Sequence, residues 1–225
     1  MSPQQKEYKN EMQQKRSAPP HWRCQGRVLG SGEKMKLNKN DLKLFYKISG
    51  ALLFYTNQKY PVMKNLKEPT FENIPPIQVK NLYDVLSAHT ELINSFVGEN
   101  PFSFTLEELN IIKSWTNFIK DTFFIVIYSG AYTAFMTVSD NTKTYGVISL
   151  QDELRNAIPL SLPQYVDTIL LPFKGKIIYC GYIDGHVIDI NDNLKQALLK
   201  KYHIIRRKFG VITSLDEPTA KGVQK

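Results

Sequence analysis

The stretch LPFKGKIIYCGYIDGHVIDI, Leu171–Ile190, decides how the C-terminal half is read, because it holds a cysteine, a histidine and two aspartates beside two glycine turns. Asp-Gly between alternating residues is the strongest short hairpin signal, and a two-residue loop fixes the register on both sides. With Asp184-Gly185 as the loop, Ile183 faces His186, Tyr182 faces Val187, Gly181 faces Ile188 and Cys180 faces Asp189. Side chains alternate between faces with period two, so this register puts Cys180 and His186 on opposite faces. A Cys/His nucleophilic pair needs hydrogen-bond contact and is thereby excluded. The same reasoning at Lys174-Gly175 pairs Leu171 with Ile178, Ile169 with Cys180 and Asp167 with Tyr182. Cys180 then reads as a buried thiol behaving as a small hydrophobe.

One weaker constellation survives on that face. Asp167, Tyr182 and Asp189 surround Cys180, and two carboxylates with a phenol suit acid/base work or a divalent cation. A partly exposed sheet edge with an Asp–Tyr hydrogen bond accounts for the same residues. No Gly-rich phosphate loop, His-bearing metal motif or G-x-S-x-G accompanies them, and no cofactor is expected. The four histidines, His21, His89, His186 and His203, are scattered without metal-ligand spacing.

Working outward, TFFIVIYS, YTAFMTVS and TYGVISL are rich in β-branched and aromatic residues and are punctuated by Ser129-Gly130 and Ser139–Thr142. YVDTILLPF, KIIYCGYI and HVIDI follow, giving an antiparallel sheet of five or six strands. Upstream the apolar period is helical. NDLKLFYKISGALLFYTNQKY places Phe45, Ile48, Leu52 and Tyr55 on one stripe, with Asn40 or Asp41 as cap. Two short helices follow within residues 77–98, and Thr105 to Glu108 is a capping box that opens LEELNIIKSWTNFIK. The fold class is therefore α+β: a helical N-terminal half, the sheet, and a C-terminal helix on one sheet face.

That last helix, LKQALLKKYHIIRRKF, has an apolar stripe of Leu194, Ala197/Leu198, Ile205 and Phe209, with Tyr202 at its margin. Lys200, Lys201, Arg206, Arg207 and Lys208 lie on the remaining surface, a ridge suited to phosphate contacts. Cations near a helix C-terminus are also favourable on electrostatic grounds alone.

The net charge of +8 sits at the two ends: residues 1–40 carry nine Lys/Arg against three Asp/Glu, and residues 191–225 carry eight against three. Such asymmetry points to nucleic acid or another polyanion as partner. The longest apolar run, FFIVIY, is far short of the roughly 20 residues that span a bilayer, so no membrane span is expected. The polar start lacks a secretory core, and only Cys24 and Cys180 are present, which suits a reducing, cytoplasmic setting.

Residues 1–34 read as a disordered basic extension, 35–215 as a single domain and 216–225 as a flexible tail. Gly32-Glu33-Lys34-Met35 is what a purine-rich ribosome-binding sequence ahead of a start codon would encode, which makes Met35 a candidate native start.

ELNIIKSWTNFIKDTFFIVIY, YGVISL, LLPFKGKIIYCGYI and FGVITSL, in that order after KNDLKLFYKISGALLFYTNQKY, resemble a family of uncharacterised prokaryotic proteins. Its pattern includes Ile-Ile-Tyr-Asp-Gly and a closing Gly-Ile-Ile-Thr-Ser-Leu, and the resemblance runs from about Met35 to Leu215. It implies no established activity. Two departures stand out. Cys180 occupies the family's Asp position, and Ile190–Asn193 replaces a glycine-rich run ahead of the last helix, where an anion would bind.

Together these readings favour a non-catalytic cytoplasmic binding protein with nucleic acid as ligand through the last helix. The alternatives are a hydrolase or metal-dependent enzyme using Asp167, Tyr182 and Asp189, and a protein-interaction subunit of a larger assembly.

Overall fold

The computed structural model describes residues 36–140, 142–157, 161–186, 188 and 190–215. The expected basic extension, Met35, Asp189 and the tail from 216 lie outside the described residues.

The helical half opens with α1 (Lys39–Lys59). Its cap is Asn38, whose side chain accepts from the Asp41 backbone at 2.9 Å. Asn40 and Asp41, which the sequence offers for that role, already lie within the helix. Phe45, Ile48, Leu52 and Leu53 are completely buried, so α1 runs through the middle of the helical layer. At Gly50 it meets the chain returning past Pro69. A Cβ there would lie 2.5 Å from the Pro69 carbonyl oxygen, so only glycine permits the approach.

Next come α2 (Pro76–Ala88), α3 (Glu91–Glu99) and α4 (Leu106–Ser114). The Thr105–Glu108 capping box forms with both of its reciprocal bonds. Behind it Trp115 is buried, and its indole N–H donates to the Pro172 carbonyl at 3.0 Å, fastening the helical layer to the sheet.

Among the described residues the sheet is a closed barrel of five strands, β1 (Ile119–Tyr128), β2 (Thr133–Thr137), β3 (Thr144–Ile148), β4 (Gln164–Phe173) and β5 (Lys176–His186), in the order β1-β2-β3-β5-β4. Four of its pairings are antiparallel, and β3 meets β5 in parallel at Val147↔Ile177 and Ile148↔Ile178. A short helix, α5 (Leu154–Ala157), lies in the crossover from β3 to β4. The sheet is thus mixed rather than wholly antiparallel, because closing the ring brings β3 against a strand of the same sense.

The Lys174-Gly175 turn forms as the sequence predicts, with both residues at positive φ and Leu171 opposite Ile178. The Asp184-Gly185 turn does not form. β5 runs straight through both residues, and Gly185 pairs with Val166 and His186 with Tyr165. Of HVIDI, His186 is thus the last residue of β5 rather than the start of a new strand, and Val187 and Asp189 lie outside the described residues. β4 presents a partner edge down to Gln164, and a continuous ladder satisfies more backbone groups than a two-residue turn would.

A register break modifies the rest. From Leu170↔Tyr179 to Thr168↔Ile183, β4 advances two residues while β5 advances four, and Gly181 at φ +89° sits in the excess. Asp167 consequently faces Asp184, not Tyr182. An even insertion preserves the alternation, so Ile178, Cys180, Tyr182 and Asp184 all stay on the outer face.

The described residues form three apolar clusters. The barrel interior holds Phe123, Ile125, Phe135, Val147, Val166 and Leu170. Ile169, Leu171, Phe173, Ile178 and Cys180 on the outer face pack under the helical layer. The third joins Val126, Ala134 and Met136 to the last helix, α6 (Asp192–Phe209), through Leu198, Tyr202 and Ile205. Tyr202 is thus the centre of the buried stripe rather than its margin. Leu194 and Phe209, expected in the stripe, are 40% and 57% exposed because the helix overhangs the barrel at both ends. Beyond Gly210, Ile212 pairs in parallel with Tyr145, and Ile212 and Leu215 pack against the barrel interior.

Candidate functional site

A cavity of about 320 Å³ lies between α2 and the outer face of β1, β4 and β5. Asp167, Tyr182 and Cys180, grouped from the sequence, all line it. Asp189, the second carboxylate of that group, lies outside the described residues.

The rim on the α2 side is built around Asp84. Its two carboxylate oxygens accept separately from Lys80 at 3.0 Å, one turn away, and from Lys120 of β1 at 2.7 Å. Lys120 also donates to Ser87 at 2.9 Å. Burial pushes the Asp84 carboxyl up, but the two ammonium groups outweigh it and hold the group below the ordinary carboxylate range.

The strand rim is centred on Asp167. It accepts from the Thr122 hydroxyl at 2.6 Å and is 2.7 Å from His186 Nε2, which carries the bridging proton because a carboxylate only accepts. Burial again acts upward. The Thr122 and His186 bonds, helped by the nearby charge of Lys80, bring this carboxyl below its ordinary value. Asp121 accepts from the Thr122 backbone at 2.7 Å and from the Ser139 hydroxyl. Burial, then the charge and hydrogen bond of Asp184, pushes the Tyr182 phenol up to about 12.

The floor is apolar. Ile169, Cys180 and Tyr83 are 6%, 2% and 2% exposed. Desolvation raises the Cys180 thiol above its ordinary value, which keeps it protonated and poorly nucleophilic. Its sulfur lies 3.6 Å from the Tyr182 carbonyl. Cys180 and His186 share one face after all, contrary to the hairpin reading. They are nevertheless six residues apart on one strand, roughly 20 Å at the usual rise, so the exclusion of a Cys/His pair stands for a different reason.

Among the described residues, no group of three His, Cys, Asp or Glu side chains could hold a metal ion. Instead Asp84 is paired with two ammonium groups, Asp167 with Thr122 and His186, and Asp121 with hydroxyl and backbone donors. Sequence reasoning missed Lys80, Asp84, Lys120 and Thr122 as site residues. The i,i+4 spacing of Lys80 and Asp84 was the one legible signal among them.

The basic candidates of α6 are placed as the helical period requires. Lys200, Arg206, Arg207 and Lys208 are exposed and Lys201 is half-buried. Lys200 and Arg207 lie with Gln196 and His203 along the crest opposite Leu198, Tyr202 and Ile205. Lys47, Lys80, Lys120, Lys143 and Lys174 each pair with a carboxylate. Among the described residues no such ion pair forms at Lys200, Arg206, Arg207 or Lys208. Two apolar side chains are interleaved with them, Ile204 at 55% and Phe209 at 57% exposure, and the Lys208 ammonium sits 5.1 Å from the Phe209 ring centre.

No helix among the described residues is long and apolar enough to cross a membrane. No protein-family model, curated protein or solved structure matches the chain.

Proposed function

We propose that the protein binds nucleic acid without catalysis, through the outward face of α6. The observation that carries this reading is the concentration of cations on one helix. Lys200, Arg206, Arg207 and Lys208 stand exposed on α6, and among the described residues none of the four forms an ion pair with a carboxylate. Charges left open on one ridge suit a polyanion whose counterions are released on contact. Phe209, an exposed ring among these cations, suits stacking on an unpaired base.

The barrel adds support by analogy of fold. Five strands in the order β1-β2-β3-β5-β4 with one parallel pair follow the Greek-key connectivity of oligonucleotide- and oligosaccharide-binding barrels. In this chain α6 covers the outer face of β1 and β2, and its basic crest stands in place of a bare strand surface. The hydrolytic alternative gains less, because Asp167 is already held by Thr122 and His186.

The test is fluorescence anisotropy of labelled single- and double-stranded DNA and RNA with the full chain, at low and moderate salt. The expected result is binding that weakens steeply with salt, is lost in Arg206→Glu/Arg207→Glu and is retained in Asp167→Asn. Absence of binding at low salt overturns the reading. A stoichiometric protein partner that survives nuclease treatment, without nucleic-acid binding, favours the interaction-subunit alternative instead.

A further inference from the structure

We propose that the cavity between α2 and the barrel binds a small zwitterion with an apolar body, of the class of free α-amino acids. This does not depend on the nucleic-acid reading, since the cavity and the crest of α6 are different surfaces. The volume of about 320 Å³ falls at the lower end for small-molecule sites.

The two rims differ in charge. On the α2 side Lys80 and Lys120 share the single carboxylate of Asp84, which leaves one positive charge in excess. An ammonium group has three N–H donors, and Lys80 makes one hydrogen bond, so it retains donors for an incoming carboxylate. On the strand side Asp121 and Asp167 come from neighbouring strands, and Asp167 stands directly opposite Asp184. Like charges facing each other across a strand pair are destabilising. Thr122 and His186 at Asp167 and the Tyr182 phenol at Asp184 supply hydrogen bonds, and a cation placed beside the pair reduces the repulsion further. Lys80 acts on both carboxylates but is itself bonded to Asp84. A ligand ammonium on this rim and a ligand carboxylate on the other match both needs at once.

The floor defines the third part of the ligand. Ile169, Cys180 and the ring of Tyr83 are buried and offer an apolar surface to a side chain. The Tyr83 hydroxyl is buried beside that of Ser49, and neither has another hydrogen-bond partner, so the floor offers the Tyr83 ring rather than its polar end.

Isothermal titration calorimetry of the full chain against the individual free amino acids tests this. Whichever binds is followed by its decarboxylated amine and its deaminated acid. Saturable binding is expected for an apolar or aromatic amino acid, with each stripped analogue weakened by about tenfold or more, as expected for a lost charge-assisted hydrogen bond. Lys80→Met and Asp167→Asn should each weaken binding similarly while thermal unfolding shows a folded protein. Lys120→Met and Asp121→Asn serve if either variant fails to fold. The proposal is overturned if no amino acid binds at millimolar concentration, if a stripped analogue binds as tightly as its parent, or if the folded variants bind undiminished.

Discussion

Phe71 packs its ring against the backbone of Gly181, and a Cβ on Gly181 would lie 2.6 Å from Phe71 Cζ. The contact joins the helical layer to β5 at the register break, where Gly181 has φ +89°. Replacing Gly181 by Ala is expected to destabilise the protein by about 2–4 kcal/mol through backbone strain and overpacking. Gly185, which has open space around its Cβ position, should tolerate Ala within about 0.5 kcal/mol. Urea denaturation of both variants checks the register of β5. A large loss at Gly185, as a tight turn would give, contradicts the continuous strand.

Trp115 and Pro172 make the second tie between the layers. Trp115→Phe keeps most of the apolar volume but leaves the Pro172 carbonyl without its indole donor. A loss of about 1–3 kcal/mol is expected for a buried acceptor left unpaired, measured by the same denaturation.

High pH should unfold the protein in a defined window. Burial first, with a neighbouring carboxylate or phenol, raises Tyr55, Tyr182 and Tyr202 from 10.0 to about 12. An acid whose pKa is higher in the folded state stabilises the fold fully below the unfolded value. That contribution disappears as pH rises from about 10 to about 12. Tyrosinate absorbance followed together with circular dichroism should show late ionisation of these groups, coincident with loss of structure.

Low pH acts through Asp84 and Asp167. Both are held below their ordinary value of 3.8. Their stabilisation is therefore complete above about pH 4 and is lost as pH falls through their folded values. Asp84→Asn should be less stable than the parent at neutral pH and show a shallower acid limb in thermal unfolding.

The crest of α6 makes a prediction in salt. If Lys200 and Arg207 each neutralise one phosphate, Lys200→Gln and Arg207→Gln should each reduce the slope of log affinity against log salt by about 1. Their unfolding temperatures should stay unchanged, because both side chains are exposed. Unchanged slopes would remove these residues from the interface.

Legibility followed the range of the interaction. The Thr105–Glu108 capping box and the Lys174-Gly175 turn were readable because the residues that fix each geometry are within three positions of one another. Asp184-Gly185 carried an equally local signal and was overridden. The β4 edge competes for the same backbone groups and is visible only once β4 and β5 are aligned. Tyr202 was placed at the margin for a similar reason. Which turns of α6 are covered depends on how far Val126, Ala134 and Met136 extend beneath them.

By itself the sequence determined the α+β class, most of the elements and the basic face of the last helix, because period, caps and charge are properties of contiguous residues. It also brought Asp167 and Tyr182 to one face. The tertiary structure decided the closure of the barrel and the membership of the cavity. Lys120 reaches Asp84 across 36 residues and Thr122 reaches Asp167 across 45. Neither meeting is encoded locally. Each follows from burying the apolar faces of α2, β1 and β4 against common neighbours, which fixes where the polar rims of those elements come together.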